Sequence, residues 1–371
     1  MSRPHISNVL LVDQTYFYNK TQDVAISKSI FDVRSRSHYD DSHIRASFSL
    51  GMEESEMIQS LLELVNGTTT AERMDENLIT IKLNTLFGKN SLFKLRGLSY
   101  KTILLYGDEI NNCGNKDLCS SSMATSNDEC DTTLPPPLET PIEKFTHEVH
   151  PNCELFLPSC MKFSTPIQLS DMKRYPVLLL SELLRREGKL DNIIVLTSYK
   201  SFCDKYGFLL TLRETGIGYQ GIYPSEIIEN FLYLGDKESA SSDVELTDLG
   251  ITYILNMAEE VSNDLEFLEV APGVKKYSYL KLGTGDTISH SISNLFDQAN
   301  EFLRQAYERN GKAIVNCNMG VSRSSTTVIS YIMKYYGLSF EQVFHHVKNQ
   351  RSVTCPNASF REQLKSFYNS Q

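Results

Sequence analysis

The sequence predicts an α/β protein of two domains, each with a central sheet flanked by helices. The chain has 371 residues, which is longer than one compact domain usually is. Short apolar runs typical of strands alternate with helical stretches in both halves of the chain. Hydrophobic residues make up 41% and charged residues 22% of the sequence, as in ordinary folded proteins. We therefore expect a first domain over residues 5–212 and a second over 220–371.

The first half carries strand-like and helical segments on either side of a polar stretch. Strands are predicted at 8–12, 78–83, 101–106 and 192–197, and helices at 53–65 and 177–187. Residues 111–150 are rich in Ser, Thr, Asn and acidic residues and contain three consecutive prolines. This composition predicts a flexible insertion, and the glycine-containing stretch 213–222 predicts a linker between the domains.

The second half alternates in the same way. Strands are predicted at 231–234, 252–256, 277–282 and 313–315, and helices at 291–309 and directly after Gly320. Asn310 and Gly311 supply the end of the first of these helices.

Charge and cysteine usage exclude several classes of protein. The net charge of −10 argues against a nucleic-acid or membrane-surface binder, and no apolar run reaches the roughly 18 residues of a membrane span. The N-terminus lacks the pattern of a signal peptide. The eight cysteines show neither a CxxC pair nor zinc-type spacing with His, so we expect free thiols in the cytoplasm, with entry into the nucleus left open.

The segment that carries chemistry begins at Cys317, where an apolar strand ends and a short loop leads into a helix. The N–H groups of such a loop can converge on an anion, and the helix N-terminus adds its positive dipole end. Both effects and the nearby Arg323 favour a thiolate at Cys317. The planar Arg323 fork can hold two phosphoryl oxygens, and Gly320 permits the tight turn.

These residues predict a phosphate site in which Cys317 is the nucleophile. Ser324 places a hydroxyl where it could assist departure of the thiolate. The alternative is a buried Cys at a strand end beside a surface Arg, without chemistry. The spacing C-x-x-G-x-S-R-S between a strand and a helix favours the phosphate site. The residues predicted to bind the phosphate are Asn318, Met319, Gly320, Val321, Ser322 and Arg323.

Residues 222–369 resemble the dual-specificity phosphatases of the Cys-based protein tyrosine phosphatase superfamily. The resemblance includes the phosphate loop, the segments 231–235 and 254–256, and the closing run Pro356–Phe360. It implies the fold of that superfamily and a general acid Asp about thirty residues before the nucleophile. Asp286 stands at that place, after a Gly-Thr-Gly run that suggests a mobile loop. The alternative is a turn Asp without chemistry, and the nearby His290 is expected to be solvated.

The resemblance implies a two-step displacement through a phosphocysteine, with no metal or cofactor. Cys317 would attack phosphorus while Asp286 protonates the leaving oxygen, and water would then hydrolyse the intermediate. One departure from the family is Asn316, because His normally precedes the nucleophile. Asn cannot carry charge, so we expect weaker stabilisation of the thiolate and reduced activity.

The first half resembles a rhodanese-like domain. The resemblance rests on the segments 31–35, 39–46, 103–108 and 194–202. An active sulfurtransferase would carry a loop Cys directly after the strand that ends at Tyr106, but Gly107 and Asp108 stand there. The resemblance therefore implies a non-catalytic domain.

A degenerate rhodanese-like domain before a dual-specificity domain is the arrangement of mitogen-activated protein kinase phosphatases. It implies a phosphorylated protein as partner, with a mitogen-activated protein kinase as one candidate, and leaves the oligomeric state open. The kinase-docking cluster of that family is replaced here by the acidic stretch 47–56, whereas Lys173 and Arg174 have docking-like spacing before apolar residues. The same layout occurs in a catalytically silent relative, the serine/threonine/tyrosine-interacting-like protein, so a phosphoprotein-binding scaffold is the second hypothesis.

Overall fold

The computed structural model describes residues 8–26, 28–50, 59, 61–63, 102–107, 109–110, 161–162, 175–187, 190, 192–212 and 222–369. The chain divides into two compact units, of which the second contains Gln220–Gln371. The predicted strand at 78–83, the insertion at 111–150 and the linker residues 213–221 lie outside the described residues, as does most of the predicted helix at 53–65.

The first unit is built on a mainly parallel sheet. Its strands stand in the order β4-β2-β5-β7-β1-β6, and each neighbouring pair is parallel except β1 with the short β6. A separate antiparallel pair joins β3 to β8. The strands are β1 Asn8–Val12, β2 Lys28–Asp32, β3 Ser42–Ile44, β4 Ser47–Ser49, β5 Thr102–Tyr106, β6 Met161–Lys162, β7 Asn192–Leu196 and β8 Leu210–Leu212.

Four helices are described in this unit: α1 Gln14–Gln22, α2 Arg36–Asp41, α3 Pro176–Glu187 and α4 Tyr199–Tyr206. Helix α3 packs its apolar face on the sheet, where Val177, Leu178 and Leu179 are at most 2% exposed. These are the apolar residues that follow Lys173 and Arg174. Their burial favours a core role over docking of a partner.

The motif Asp32-Val33-Arg34 forms a buried ion pair at the end of β2. Arg34 Nη2 lies 2.6 Å from Asp32 Oδ2, and the guanidinium stacks 3.8 Å from the centre of the Tyr199 ring. Arg34 also donates to the carbonyl oxygen of Ser42. The pair thus ties β2 to β3 and α4, which is a structural role.

The second unit has a five-stranded sheet in the order β14-β11-β15-β10-β9, with a small hairpin of β12 and β13. The first four strands are mutually parallel, and β9 runs antiparallel to β10. The strands are β9 Ser225–Ile228, β10 Leu232–Gly235, β11 Ile251–Ala258, β12 Glu269–Ala271, β13 Val274–Lys275, β14 Ser278–Thr284 and β15 Lys312–Asn316.

Helix α8 lies at the centre of this unit, and its residues from Arg323 to Met333 are buried. Helices α7, α9 and α10 flank it and contribute to one apolar core with the sheet. The helices of the unit are α5 Lys237–Ser241, α6 Asp243–Leu249, α7 Phe296–Glu308, α8 Arg323–Tyr336, α9 Phe340–Gln350 and α10 Ala358–Asn369. In the part of the chain that the structure describes, no helix is both long and apolar enough to cross a bilayer.

The helix predicted at 291–309 begins later than expected. A 3-10 turn, Ser293–Leu295, precedes α7, which starts at Phe296. The reason is that the N–H groups of Ile292 and Ser293 both donate to Gln363 Oε1, at 2.8 and 3.0 Å. This side chain holds the incoming segment outside the helix.

Candidate active site

The carboxyl ends of parallel strands meet at one edge of a sheet, and in this unit they bring the candidate residues together. Strand β15 ends at Asn316, directly before Cys317, and β14 ends at Thr284, two residues before Asp286. Strand β11 ends at Ala258, two residues before Glu260. Three loops that are distant in sequence therefore converge on the N-terminus of α8.

The phosphate loop, residues 317–322, turns its carbonyl groups outward. The carbonyl oxygens of Asn318 and Val321 accept from backbone N–H groups, that of Lys237 at 3.3 Å and that of Cys355 at 2.9 Å. The carbonyl oxygens of Met319 and Gly320 accept from the Arg351 guanidinium, from Nη2 at 3.4 Å and from Nε at 3.0 Å. A trans peptide places the next N–H on the opposite side, and the described residues contain no cis peptide. The N–H groups of residues 319–322 therefore face the interior of the loop, as an anion cradle requires.

Gly320 makes this conformation possible. Its φ angle is +66°, a left-handed conformation that favours glycine. A Cβ atom at this position would lie 2.5 Å from the carbonyl oxygen of Gly235. The predicted need for glycine is thus explained by both the turn and the close approach of strand β10.

Cys317 lies at the base of the loop and is 2% exposed. Burial would raise the pKa of its thiol, but the surrounding groups hold the pKa below its ordinary value. These groups are the Ser324 hydroxyl and the N–H groups of Ser324 and Val321, which donate hydrogen bonds, and the charge of Arg323. The Ser324 Oγ lies 3.2 Å from the Cys317 Sγ. The site therefore favours the thiolate form that a nucleophile needs.

Arg323 begins helix α8 and is held by Glu260. Its Nη1 and Nη2 atoms donate to the two carboxylate oxygens at 2.7 and 2.6 Å, and Nη1 also donates to the carbonyl oxygen of Thr284 at 3.0 Å. The same ion pair lowers the pKa of Glu260. Glu260 thus fixes the plane and the direction of the guanidinium group.

The opposite edge of the guanidinium group is still available. Arg323 is 5% exposed, and its Nε is a buried donor for which the structure shows no hydrogen-bond acceptor. One proton of Nη2 also remains after the bond to Glu260. Nε and Nη2 together form the fork that binds two oxygens of a phosphoryl group.

Asp286 stands beside this fork. Its Oδ1 accepts from Ser322 Oγ at 2.7 Å and from Asn357 Nδ2 at 2.9 Å, and its Oδ2 lies 3.6 Å from Arg323 Nε. The carboxyl group is thus at the entrance of the phosphate loop, where a proton donor to a leaving group must stand. The neighbouring His290 is partly buried, and its Nδ1 lies 2.6 Å from Thr287 Oγ1.

The glycines before Asp286 are explained by packing. Gly283 lies within strand β14, and a Cβ atom there would come 2.7 Å from Glu259 Cα. A Cβ atom on Gly285 would lie 2.5 Å from the His290 ring. These close approaches account for both residues, and the mobility inferred from the Gly-Thr-Gly run stays a prediction.

Asn316 is the last residue of strand β15 and stands directly before Cys317. The residue is 2% exposed, and its Oδ1 is buried without a hydrogen-bond donor in the structure. The groups that lower the pKa of Cys317 belong to residues 321, 323 and 324. These groups stabilise the thiolate from the loop and from helix α8, and the effect of the side chain at position 316 stays a prediction.

Every residue that the sequence analysis assigned to the phosphate site lies in one loop and helix start, and Asp286 lies against it. Met319 is the one whose side chain points most into solvent, at 69% exposed. Glu260, Arg351 and Asn357 were missed. Glu260 follows a predicted parallel strand, so the rule for strand ends could have found it, whereas no local pattern marks the other two.

Among the described residues, no group of three or more His, Cys, Asp or Glu could hold a metal ion.

A buried low-pKa thiol in an anion cradle, with an Arg fork and a carboxyl group at its entrance, defines a cysteine-based phosphatase site. Residues 232–370 match the dual specificity phosphatase catalytic domain. This part of the chain therefore has the sequence of a dual specificity phosphatase catalytic domain, which supports the assignment of the chain as a protein phosphatase.

The relatives extend the comparison to the first unit. A "probable rhodanese domain-containing dual specificity protein phosphatase" of Dictyostelium discoideum is 26% identical over 356 residues, covering 94% of this chain and 67% of the relative. The first unit is accordingly rhodanese-like. The human protein phosphatase Slingshot homolog 1 is 37% identical over 147 residues, which is 39% of this chain but 13% of that protein.

One solved structure similar to this chain is that of a human protein. The human tyrosine phosphatase-like serine/threonine/tyrosine-interacting protein shares 29% identity, with a TM-score of 0.35, over 39% of this chain and 95% of that one. A TM-score of this size is too low to support a functional argument.

Proposed function

We propose that the chain hydrolyses phosphotyrosine and phosphoserine or phosphothreonine in proteins through a phosphocysteine intermediate. The observation that carries this proposal is the buried Nε of Arg323, which makes no hydrogen bond and lies 3.6 Å from Asp286 Oδ2, beside a loop whose N–H groups face inward. A buried donor without a hydrogen-bond acceptor is costly, so we expect a ligand to supply the acceptor. A phosphoryl group supplies the required oxygens for the fork and for the loop together.

In the first step the Cys317 thiolate attacks phosphorus. The S–P bond forms as the P–O bond to the substrate breaks, and Asp286 gives its proton to the departing oxygen. The charge on the transferred group is held by Arg323 and the loop N–H groups.

In the second step a water molecule attacks the phosphocysteine. Asp286 takes the proton of the water, the S–P bond breaks and inorganic phosphate leaves. Ser324 donates to the departing sulfur from 3.2 Å and so stabilises the returning thiolate.

The substrate is proposed to be a phosphorylated protein, with a mitogen-activated protein kinase as one candidate. The support is the order of the two domains, a rhodanese-like domain followed by a dual specificity domain, as in the Dictyostelium relative. The acidic stretch 47–56 weakens the kinase assignment, because that place carries the basic docking cluster in the kinase phosphatases.

A scaffold that binds phosphoproteins with little turnover is the second candidate. The observation that favours it is Asn316, whose buried Oδ1 lacks a donor at the place where the family carries His. The low pKa of Cys317 argues for the enzyme instead.

The test is hydrolysis of a small aryl phosphate by the full chain, beside the variants Cys317→Ser and Asp286→Ala. The enzyme predicts turnover that disappears with Cys317→Ser and falls by about 100-fold or more with Asp286→Ala. Turnover no higher than that of Cys317→Ser at every pH between about 5 and 8 would reject the enzyme. Tight binding of a phosphopeptide in that case would support the scaffold.

A further inference from the structure

The closing motif Pro356–Phe360 has no part in the mechanism above, yet it contacts the general acid. Asn357 donates through Nδ2 to Asp286 Oδ1 at 2.9 Å. Its backbone N–H donates to Ser322 Oγ at 3.2 Å, and that hydroxyl in turn donates to the same Asp286 oxygen at 2.7 Å. The two bonds on Oδ1 come from side chains that are themselves linked.

The arrangement leaves the second carboxyl oxygen for the proton. Asp286 Oδ1 is occupied by the two donors, whereas Oδ2 lies 3.6 Å from Arg323 Nε and makes no such hydrogen bond. A carboxyl group that donates a proton needs one free oxygen with a defined direction. The bonds to Oδ1 therefore select Oδ2 as the proton-bearing atom and direct it to the phosphate fork.

Asn357 is itself held in place by helix α10. Its Oδ1 accepts from Phe360 N at 3.0 Å, which makes Asn357 the N-cap of that helix. Phe360 and Leu364 are fully buried in the core of the unit. The donor to Asp286 therefore stands on a rigid element.

The same helix holds the far end of the acid loop, residues 285–293. Gln363 Oε1 accepts from the N–H groups of Ile292 and Ser293, and its Nε2 donates to the carbonyl oxygen of His290 at 2.9 Å. Helix α10 thus contacts the loop at the carboxyl group of Asp286 and at its last turn.

We propose that Asn357 is a positioning residue for the general acid, which caps helix α10 with one amide atom and directs Asp286 with the other. This inference rests on the proposed function, since it assigns Asp286 as the acid. It goes beyond that function because it assigns a role to the amide residue of the closing motif, Asn357.

Substitutions at Asn357 can separate the two roles. Asn357→Asp keeps an oxygen that caps the helix but loses the donor and places a like charge beside Asp286. Asn357→Ser keeps a capping hydroxyl without the reach of the amide. Ser339→Ala is the matched control, because Ser339 caps helix α9 by accepting from Gln342 N at 3.3 Å and is not in contact with the acid loop.

The readout is the dependence of kcat/KM on the leaving group. A phenolate with a pKa of about 10 needs a proton from the acid, whereas a strongly electron-withdrawn phenolate leaves without it. Asn357→Asp and Asn357→Ser are expected to lose about 10- to 100-fold on a phosphotyrosine peptide and less than about 3-fold on the activated aryl phosphate. Ser339→Ala should change both substrates equally or not at all.

A double-mutant cycle with Asp286→Ala is the second measurement. In that background Asn357→Asp should cause no further loss on the phosphotyrosine peptide, because the group that it positions is gone. Equal losses on both substrates, or additive losses in the double variant, would overturn the positioning role while leaving the phosphatase intact.

A third measurement, of the side-chain amide resonance of Asn357, does not depend on turnover. The side-chain amide resonance of Asn357 is expected to shift in Asp286→Ala and to stay unchanged in Ser339→Ala. An unmoved resonance would refute the contact. If the wild-type chain hydrolyses neither substrate, the proposed function fails, and this resonance alone decides whether Asn357 binds Asp286.

Discussion

The hydroxyl oxygen of Ser324 lies 3.2 Å from the sulfur of Cys317, in the first turn of the buried helix α8. Its bond to sulfur is one of the contributions that lower the pKa of Cys317 against the effect of burial. The same hydroxyl faces the sulfur in both steps of the proposed reaction. It therefore connects the ionisation of the nucleophile to the breakdown of the intermediate.

Replacing Ser324 with Ala should raise the pKa of Cys317, because the thiolate loses a hydrogen-bond donor. Alkylation of Cys317 by iodoacetamide follows the thiolate fraction, so its rate should reach the plateau at a higher pH in Ser324→Ala than in the wild-type chain. Turnover should fall by about 10- to 100-fold, the effect of one hydrogen bond to a charged group. An unchanged alkylation profile would show that Ser324 does not stabilise the thiolate.

Glu260 is predicted to orient Arg323, although its own charge repels phosphate. Glu260→Ala should weaken binding of inorganic phosphate by about 10-fold, because the guanidinium loses the two bonds that fix its plane. If Glu260 acted only through its negative charge, its removal would strengthen phosphate binding. The sign of the change in phosphate affinity therefore shows whether Glu260 acts by orienting Arg323 or through its charge. Glu259→Gln, a neutralisation at the exposed neighbouring position, is the matched control and should not weaken binding.

Arg351 is predicted to hold the phosphate loop from outside. Arg351→Met removes the donors to the carbonyl oxygens of Met319 and Gly320, so the free energy of unfolding should fall by about 1–3 kcal/mol. The affinity for phosphate or vanadate should fall as well, because the loop N–H groups lose their fixed direction. Chemical denaturation and inhibition constants measure the two effects.

The control for Arg351 is Arg304→Met, which removes a surface ion pair with Glu301 and Glu308. Exposed ion pairs contribute little to stability, so this variant should retain both stability and affinity. If Arg351→Met resembled Arg304→Met in both measurements, the loop would not depend on Arg351.

A variant at Asn316 tests whether the lack of the family's His at this position weakens the stabilisation of the Cys317 thiolate. Asn316→Leu removes the buried Oδ1 that lacks a donor and keeps a similar side-chain volume. We expect unchanged or increased stability and an unchanged pH profile for alkylation of Cys317, since the groups that lower its pKa lie elsewhere. A profile shifted to higher pH would show that residue 316 does support the thiolate.

The chemistry of the phosphate loop was predictable because its signal is local. An apolar strand, a Cys, one Gly and an Arg at a helix start lie within a few residues, and these residues alone define the nucleophile, the turn and the clamp. Asp286 needed the resemblance to a family, because a carboxylate before a helix has many other uses. The structure places it against Ser322 and Asn357, and its role as the general acid stays a prediction.

The partners that orient these groups were not predictable in the same way. Glu260, Arg351 and Asn357 are brought to the loop by the parallel order of the strands and by the packing of α9 and α10 on α8. Their contacts join residues that are far apart in the chain, and a single sequence carries no local pattern that pairs them with the loop. The late start of α7 has the same origin, since Gln363 binds the backbone before that helix from a distant element.

The most direct test of the central claim is to trap the intermediate. The full chain is mixed rapidly with an aryl phosphate or a phosphotyrosine peptide, quenched in acid and analysed by peptide mass spectrometry. The account predicts one phosphoryl group on the sulfur of Cys317, more of it in Ser324→Ala because breakdown is slowed, and none in Cys317→Ser. Turnover without any phosphocysteine, or a phosphoryl group on another residue, would contradict it.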